Sequence, residues 1–134
     1  MSATESGPDV GLADTSLFIA TEQDRPLSGQ PPERVAISVI TLAELELGVL
    51  AAPDDAVRSA RLRTLNRAES FEPFVIDRDV GGAWAALRLA LGNAGRRMPL
   101  NDSWIAATAL AHGMPVVTQD DDYDGVPGLE VIRL

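Results

Sequence analysis

The sequence predicts an α/β protein in which helices cover both faces of a mainly parallel sheet. Short apolar runs that can form buried strands occur at residues 35–39, 74–76 and 115–118. Longer segments separate these runs, and their apolar side chains recur at helical spacing. Strands that alternate with helices of ten or more residues are typical of a parallel sheet with both faces covered.

The N-terminal part of the chain predicts a lead followed by a strand and a helix. Residues 1–9 are small and polar, and we expect a flexible lead there, with residues 10–134 forming a single domain. Residues 10–13 predict the first strand, although a glycine weakens it. Asp14 can cap a helix that contains the apolar residues 17–20.

Two helices are expected after the second strand. A loop rich in proline and glycine at residues 22–34 precedes that strand at 35–39. Residues 41–50 and 54–68 then show helical spacing of apolar side chains. In the first of these helices one face carries Ile40, Ala43, Leu47 and Leu50, and in the second the inward residues are expected to be Val57, Leu62 and Leu65.

The second half of the chain predicts two more helices and three more strands. Residues 77–94 predict a helix with Trp84 on its inner face, and Gly95 is expected to end it in a left-handed conformation. A further helix is expected at 103–111, opened by Asn101 or Asp102 as its N-cap. The strands are predicted at 74–76, 115–118 and 129–132.

Composition excludes several kinds of site. The chain has no cysteine, so a disulfide, a zinc–thiolate site or a cysteine nucleophile is impossible. The longest apolar stretch, residues 35–50, is interrupted by acidic and polar side chains and does not predict a membrane span. A cytoplasmic location fits both observations. A glycine-rich phosphate loop of the ATP-binding type is also absent.

The net charge of −9 argues by itself against nucleic-acid binding, because nucleic-acid binders usually carry a basic face. Arginine accounts for all 11 basic residues, and its planar guanidinium can grip a phosphate with two hydrogen bonds. Arg96 and Arg97 could contact phosphate or belong to a solvated loop, and the arginines of residues 54–68 are expected to form a solvated face. The positions of the acids therefore have to decide the function.

Four acids occupy corresponding places in the predicted elements. Asp14 closes the first strand, Glu44 lies just inside the helix after the second, Asp102 opens a helix, and Asp120 follows the strand at 115–118 by two residues. In a parallel sheet these places share one edge, where ligands bind, so the four carboxylates should converge. Taken singly, each could instead be a helix cap, a helix-end charge or a solvated residue.

Converging carboxylates raise one another's pKa unless a cation lies among them. Mg²⁺ prefers oxygen ligands and needs only one or two direct carboxylates. Such a site can activate water and support in-line displacement at phosphorus. Two divalent cations would also cancel four negative charges, which removes the objection raised by the net charge.

The same residues carry a resemblance to a known family. Four weak motifs occur in order, and together they are specific: Asp14-Thr15-Ser16, Thr41-Leu42-Ala43-Glu44-Leu45 with Gly48, Asn101-Asp102 with Ile105-Ala106-Ala107, and Thr118-Gln119-Asp120-Asp121-Asp122-Tyr123. Over nearly the whole chain this pattern resembles PIN domains, in particular the VapC toxins of type II toxin–antitoxin pairs.

The resemblance implies an α/β/α sandwich and an endoribonuclease that uses Mg²⁺ or Mn²⁺, commonly on transfer or ribosomal RNA. It also implies a homodimer and a partner antitoxin of the VapB type whose C-terminal segment covers the groove. Carried over residue by residue, Asp14 and Asp102 are the principal metal ligands, Glu44 is a further ligand and Asp120 is the fourth acid, while Asp122 has a less certain role. Polar neighbours expected to hold the acids or a phosphate are Thr15, Ser16, Asn101 and Thr118.

Other functions compete with this interpretation. A flap-cutting deoxyribonuclease shares the acid chemistry but needs a longer chain for its DNA-threading arch. A catalytically silent PIN module that binds RNA or an antitoxin would have lost an acid, and none is missing. A receiver domain needs a late lysine, and this chain has no lysine.

Three further residues, one histidine and two tryptophans, are of types that often serve in nucleic-acid enzymes. His112 is expected to cap a helix end. Trp84 and Trp104 are expected in the core, with Trp104 the better placed of the two to stack on a base.

Overall fold

The computed structural model describes residues 9–134, so residues 1–8 of the predicted lead lie outside the described part. In the described part, five parallel strands form one sheet in the order β3-β2-β1-β4-β5. The strands are β1 (Val10–Ala13), β2 (Arg34–Ser38), β3 (Pro73–Phe74), β4 (Val116–Thr118) and β5 (Val131–Arg133). The helices are α1 (Thr15–Glu22), α2 (Val39–Leu50), α3 (Asp55–Ala68), α4 (Arg78–Asn93) and α5 (Leu100–His112).

Two apolar clusters lie on opposite faces of the sheet. Neighbouring residues of β1 point to different sides, since Leu12 joins the cluster of α4 and α5 and Ala13 joins the cluster of α2 and α3. Ile105 and Val116 are fully buried in the first cluster, and Ile37 is fully buried in the second. The predicted parallel sheet and α/β/α sandwich are therefore confirmed.

The central strand β1 depends on a glycine for its close approach to β4. In the register of the pair, Leu12 lies opposite Val116 and Ala13 opposite Val117. A Cβ atom added at Gly11 would come within 2.4 Å of a Val117 methyl group. Gly11, which weakens the strand in isolation, is therefore needed for the close packing of β1 against β4. Asp14 directly follows β1 and so lies at the carboxyl end of the sheet beside β4.

Side chains of aspartate and serine set most helix starts. Asp14, Asp54 and Asp77 each accept a hydrogen bond from a backbone N–H of the first helical turn, at 2.9 to 3.1 Å. Ser38 does the same for the Ile40 N–H at 2.8 Å, so α2 begins two residues earlier than predicted. A left-handed Gly113 (φ 65°) ends α5.

The prediction that Asn101 or Asp102 caps α5 is wrong. The helix begins at Leu100 after Pro99, which takes the N-cap position and has no capping side chain. Asp102 therefore lies in the first helical turn, where its carboxylate is free to face the sheet edge instead of closing the helix.

The apolar face predicted for α2, with Ile40, Ala43, Leu47 and Leu50, is not the face that the fold buries. Leu47 and Leu50 are 64% and 73% exposed, whereas Thr41 and Leu45 are buried. Helical spacing identified an apolar stripe, but the neighbouring α3 covers a different side of the helix. In α3 Leu62 is likewise 44% exposed instead of pointing inward.

The third strand is shorter than expected. It comprises Pro73–Phe74, and the following Val75 and Ile76 do not pair with the sheet and are exposed. The strand lies at the sheet edge, where only β2 supplies hydrogen-bond partners.

Candidate active site

Asp14 is the most deeply placed acid at the carboxyl edge of the sheet. It follows β1, caps α1 and is only 2% exposed. Its Oδ1 accepts hydrogen bonds from the Ser16 hydroxyl (2.6 Å) and the Ser16 N–H (3.1 Å), and its Oδ2 accepts one from the Thr118 hydroxyl (2.8 Å). Strand β4 and helix α1 thus hold this carboxylate from two sides.

The hydroxyl groups around Asp14 are themselves positioned by the backbone. The Gln119 N–H donates to the Ser16 hydroxyl oxygen at 2.9 Å, and the Asp120 N–H donates to the Thr118 hydroxyl oxygen at 2.9 Å. With these donors satisfied, each hydroxyl proton can point at Asp14. The chain immediately after β4 is therefore tied to the same carboxylate.

Glu44 reaches the edge from α2 and is held by two donors. The Thr15 hydroxyl donates to Oε1 at 2.6 Å, and the Asn101 amide donates to Oε2 at 3.2 Å. Helices α1, α2 and α5 meet at this carboxylate. The polar neighbours expected from the sequence accordingly divide between the acids: Ser16 and Thr118 hold Asp14, and Thr15 and Asn101 hold Glu44.

Asp102 and Tyr123 form the second side of the site. The Tyr123 hydroxyl donates to Asp102 Oδ1 at 3.2 Å, and the tyrosine is fully buried. Burial raises the pKa of this phenol, and the charges of Asp14 and Asp102 raise it further. Tyr123 therefore remains protonated and can only donate to the carboxylate.

The acids at the edge influence one another electrostatically. Burial raises the pKa of Asp14 to about 6, against the lowering effect of its hydrogen bonds, and the charge of Asp120 adds to the rise. Burial, followed by the neighbouring Asp122, raises the pKa of Asp102 to about 7, and the charge of Asp14 contributes. Asp120 thus acts on Asp14, and Asp14 and Asp122 act on Asp102, so the negative charge is concentrated at one place.

Asp120 lies at the outer rim, on the loop after β4. Burial and the charge of Asp122 raise its pKa, while the positive charges of Arg25 and Arg133 oppose the rise. Arginine charge therefore reaches the rim of the site. It is not among the main influences on Asp14 or Asp102, and among residues 9–134 neither acid forms an ion pair.

Among residues 9–134, the acids do not lie together as a ready-made group of three or more metal ligands. Instead, Asp14 and Glu44 each engage both carboxylate oxygens with neighbouring donors. The donor set nevertheless fits Mg²⁺ or Mn²⁺. It consists of carboxylate groups, and burial together with neighbouring acids raises the pKa of three of them, Asp14, Asp102 and Asp120.

The four predicted acids therefore lie at the same edge, and their role as ligands stays a prediction. The sequence interpretation assigned no separate role to Tyr123. An aromatic residue with a polar tip directly after an acidic run was the available signal, since a buried tyrosine hydroxyl needs a partner. His112 lies away from the acids and stacks on Phe74 at 4.0 Å.

Comparison with known proteins gives consistent matches over most of the chain. The sequence profile described as "PIN domain" matches residues 12–129. Ribonuclease VapC5 of Mycobacterium tuberculosis is 47% identical over 95% of this chain and 97% of its own length. Ribonuclease VapC4 of the same organism is 48% identical over 92% of this chain and 95% of its own length.

A solved structure agrees with these matches. The crystal structure of VapBC-5 from Mycobacterium tuberculosis, a member of the VapBC family of toxin–antitoxin systems, superposes with a TM-score of 0.85. The matched chains are 45% identical, and the superposition covers 95% of this chain and all of the other.

Proposed function

This chain belongs to the PIN domain family and to its VapC group, and we propose that it is the toxin of a type II toxin–antitoxin pair, a metal-dependent endoribonuclease. Its substrate would be cellular RNA, either transfer or ribosomal RNA, met in the cytoplasm. Among residues 9–134 the helices are all too short or too polar to cross a membrane. The single observation that carries the proposal is the placement of four acids, Asp14, Glu44, Asp102 and Asp120, at one edge of the sheet, where hydroxyl and amide donors from other elements hold the first three.

We infer that Asp14, Glu44, Asp102 and Asp120 hold Mg²⁺ or Mn²⁺. When bound, the cation supplies a Lewis acid for the phosphodiester and lowers the pKa of water. Asp14 would be the fixed ligand, because hydroxyl groups of α1 and β4 hold both its oxygens. Burial and the neighbouring Asp122 raise the pKa of Asp102, so a cation bound there would displace the proton and keep this carboxylate ionised.

The partner proposals follow from the relatives. Ribonuclease VapC5 and its VapBC-5 complex support a VapB-type antitoxin as the partner of this chain. We also propose a homodimer, and one domain that spans residues 10–134. The matched profile ends at residue 129, but β5 and the buried Leu134 belong to the same sandwich and support the longer domain.

The test is cleavage of total cellular RNA by the purified chain, free of antitoxin, with Mg²⁺, with Mn²⁺ or with EDTA. Discrete fragments should form only with metal, and Asp14→Asn should abolish them. Asp54→Asn is the matched control, because Asp54 also caps a helix but is exposed and is not one of the four site acids. Asparagine caps a helix as well as aspartate does, so both variants should fold.

The ends of the fragments test the mechanism separately. Attack by water on the phosphodiester should leave a 5′-phosphate and a 3′-hydroxyl group, which end-labelling distinguishes. Cyclic phosphate ends would show attack by the RNA's own 2′-hydroxyl and would contradict the proposal. No cleavage by the folded wild-type chain under any metal would instead favour a silent module that binds RNA or its antitoxin.

A further inference from the structure

A cavity of about 450 Å³ lies beside the acid loop, and its walls carry three arginines and no acid. The end of α4 and the segment that leads to α5 form it. Its lining residues are Arg88, Leu91, Gly92, Arg96, Arg97 and Met98. In a chain of net charge −9, three guanidinium groups around one concavity make a local positive field.

A second cavity of similar size provides a contrast. It measures about 480 Å³ and lies between α1 and α3, where Arg63 and Arg67 are accompanied by Glu22 and Asp24. Charge in that cavity is balanced. The ion pairs found among residues 9–134 are Arg58–Asp55 and Arg133–Asp124, so in this part of the chain no carboxylate neutralises the arginines of the first cavity.

An aromatic stack holds Arg88 in place. Its guanidinium lies over the Trp84 ring, 5.4 Å from the centroid, and Trp84 stacks on Trp104 at 4.4 Å with planes 5° apart. The Trp84 indole N–H also donates to the Ser103 hydroxyl at 3.0 Å. A stacked guanidinium keeps its edge free for hydrogen bonds, and this one is anchored to the helical turn that carries Asp102.

Arg96 connects the cavity to the acid loop. Its guanidinium donates to the backbone carbonyl of Asp122 at 3.0 Å, and a Cβ atom added at Gly125 would lie 3.2 Å from it. The bond goes to a carbonyl oxygen, so the positive charge is not neutralised. Arg97 follows and is exposed. The loop of Asp120 and Asp122 is therefore flanked by cationic side chains.

We propose that Arg88, Arg96 and Arg97 bind the phosphodiester backbone of the RNA next to the cleavage site. This inference rests on the proposed ribonuclease function. The acid cluster repels a polyanion, and an adjacent arginine cavity offsets that repulsion and orients the strand toward the acids. Guanidinium groups suit this role because they contact phosphate through two parallel hydrogen bonds.

The test compares two double variants that remove the same charge. Arg88→Gln/Arg97→Gln alters the proposed cavity, and Arg63→Gln/Arg67→Gln alters the balanced one. Arg96 is left intact because its loss would free the acid loop. Both changes are made in an Asp14→Asn chain so that RNA survives the assay. Bulk transfer RNA is the probe, since phosphate contacts do not depend on sequence.

We expect the first double variant to bind RNA about 10-fold more weakly or worse, and its plot of log affinity against log salt to become shallower by about 0.7 to 1 per lost contact. The control variant should retain a slope close to that of the parent. Equal slopes and affinities in the two double variants would overturn the proposal, as would an intact Asp14→Asn chain that binds no RNA.

Cleavage with Asp14 restored separates this inference from the proposed function. Metal-dependent cleavage that is equally efficient in both double variants, at every RNA concentration, would remove the arginine site and leave the ribonuclease standing. If the chain with Asp14 cleaves no RNA but Arg88→Gln/Arg97→Gln still binds RNA more weakly than the control, the arginine site would be supported and the ribonuclease function would be contradicted.

Discussion

Asp14 and Asp102 carry the same side chain at the same edge of the sheet, yet the fold holds them in different ways. Asp14 is almost fully buried, and its two oxygens accept from Ser16 and Thr118. Asp102 is half-buried and has one donor, Tyr123. The comparison suggests one carboxylate whose position the fold fixes before any ligand arrives and another that can adjust to it.

Lengthening each acid by one methylene should break the comparison most clearly. Asp14→Glu should lower the cleavage activity by more than about 10–100-fold, the loss typical when a residue that supports a metal ligand is changed. The reason is that the packed site cannot accommodate the extra methylene. Asp102→Glu should keep measurable activity, because its surroundings are more open. Metal-dependent RNA cleavage measures both, and equal losses would show that the two sides are equally rigid.

Stability in EDTA should depend on pH because of these two acids. In the folded chain the pKa of Asp14 is about 6 and that of Asp102 about 7, against an ordinary 3.8, so folding favours their protonated forms. The stability that they contribute is fully present below 3.8 and is lost as the pH rises through about 6 and 7. For the buried Asp14 the difference is at most about 3 kcal/mol.

Urea unfolding at pH 5 and pH 8 tests this sign. Asp14→Asn should unfold at higher urea than the wild type at pH 8 and should show a weaker pH dependence. The cap control Asp54→Asn should follow the wild type at both values. A wild-type chain that is more stable at pH 8 than at pH 5 in EDTA would refute the assignment.

Metal binding should offset the loss of stability that the ionised Asp14 and Asp102 cause at neutral pH. Mn²⁺ at 100 times its dissociation constant should stabilise the wild type by about 2.7 kcal/mol, if the cation binds only the folded chain. Asp14→Asn and Asp102→Asn should each lose most of this gain. Thermal unfolding with and without Mn²⁺ measures this gain in stability. Glu46→Gln is the positive control, because Glu46 is an exposed acid two residues from Glu44, and Mn²⁺ should raise the unfolding temperature of this variant as much as that of the wild type.

Removing a single hydroxyl group should give the smallest effect and sharpen the contrast. Ser16→Ala removes one of two hydroxyl donors to Asp14, whereas Tyr123→Phe removes the donor to Asp102. We expect each variant to lose cleavage activity by about 10-fold, which is the low end of the range for groups that orient metal ligands. The pH profile of cleavage by Tyr123→Phe should shift to higher pH, because the lost hydrogen bond lowers the pKa of Asp102. An unshifted pH profile would show that Tyr123 does not position Asp102.

Much of the site was predictable from local chemistry. Asp14 could be placed because a strand that ends in Asp-Thr-Ser predicts a capped helix at the carboxyl edge of the sheet. The same reasoning located Asp120 after β4. It did not locate the Tyr123–Asp102 hydrogen bond, since the two residues are 21 positions apart and meet only when the loop after β4 folds back over α5.

Helical spacing had a similar limit. The stripe of Leu47 and Leu50 on α2 was visible in the sequence, yet it faces outward. Periodicity shows that a helix has an apolar side but not which neighbour covers it. The same limit applies to Arg88, whose place over Trp84 depends on how α4 packs against α5.

By itself, the sequence determined the order of strands and helices, the parallel α/β class and the acids at the strand ends, because these follow from patterns within a few residues. Only the tertiary structure decided which donors hold each acid, which helix faces are covered and how three arginines come to share one cavity. Those properties depend on contacts between segments that are distant in the sequence. Such contacts form, and contribute to stability, only when the chain has folded.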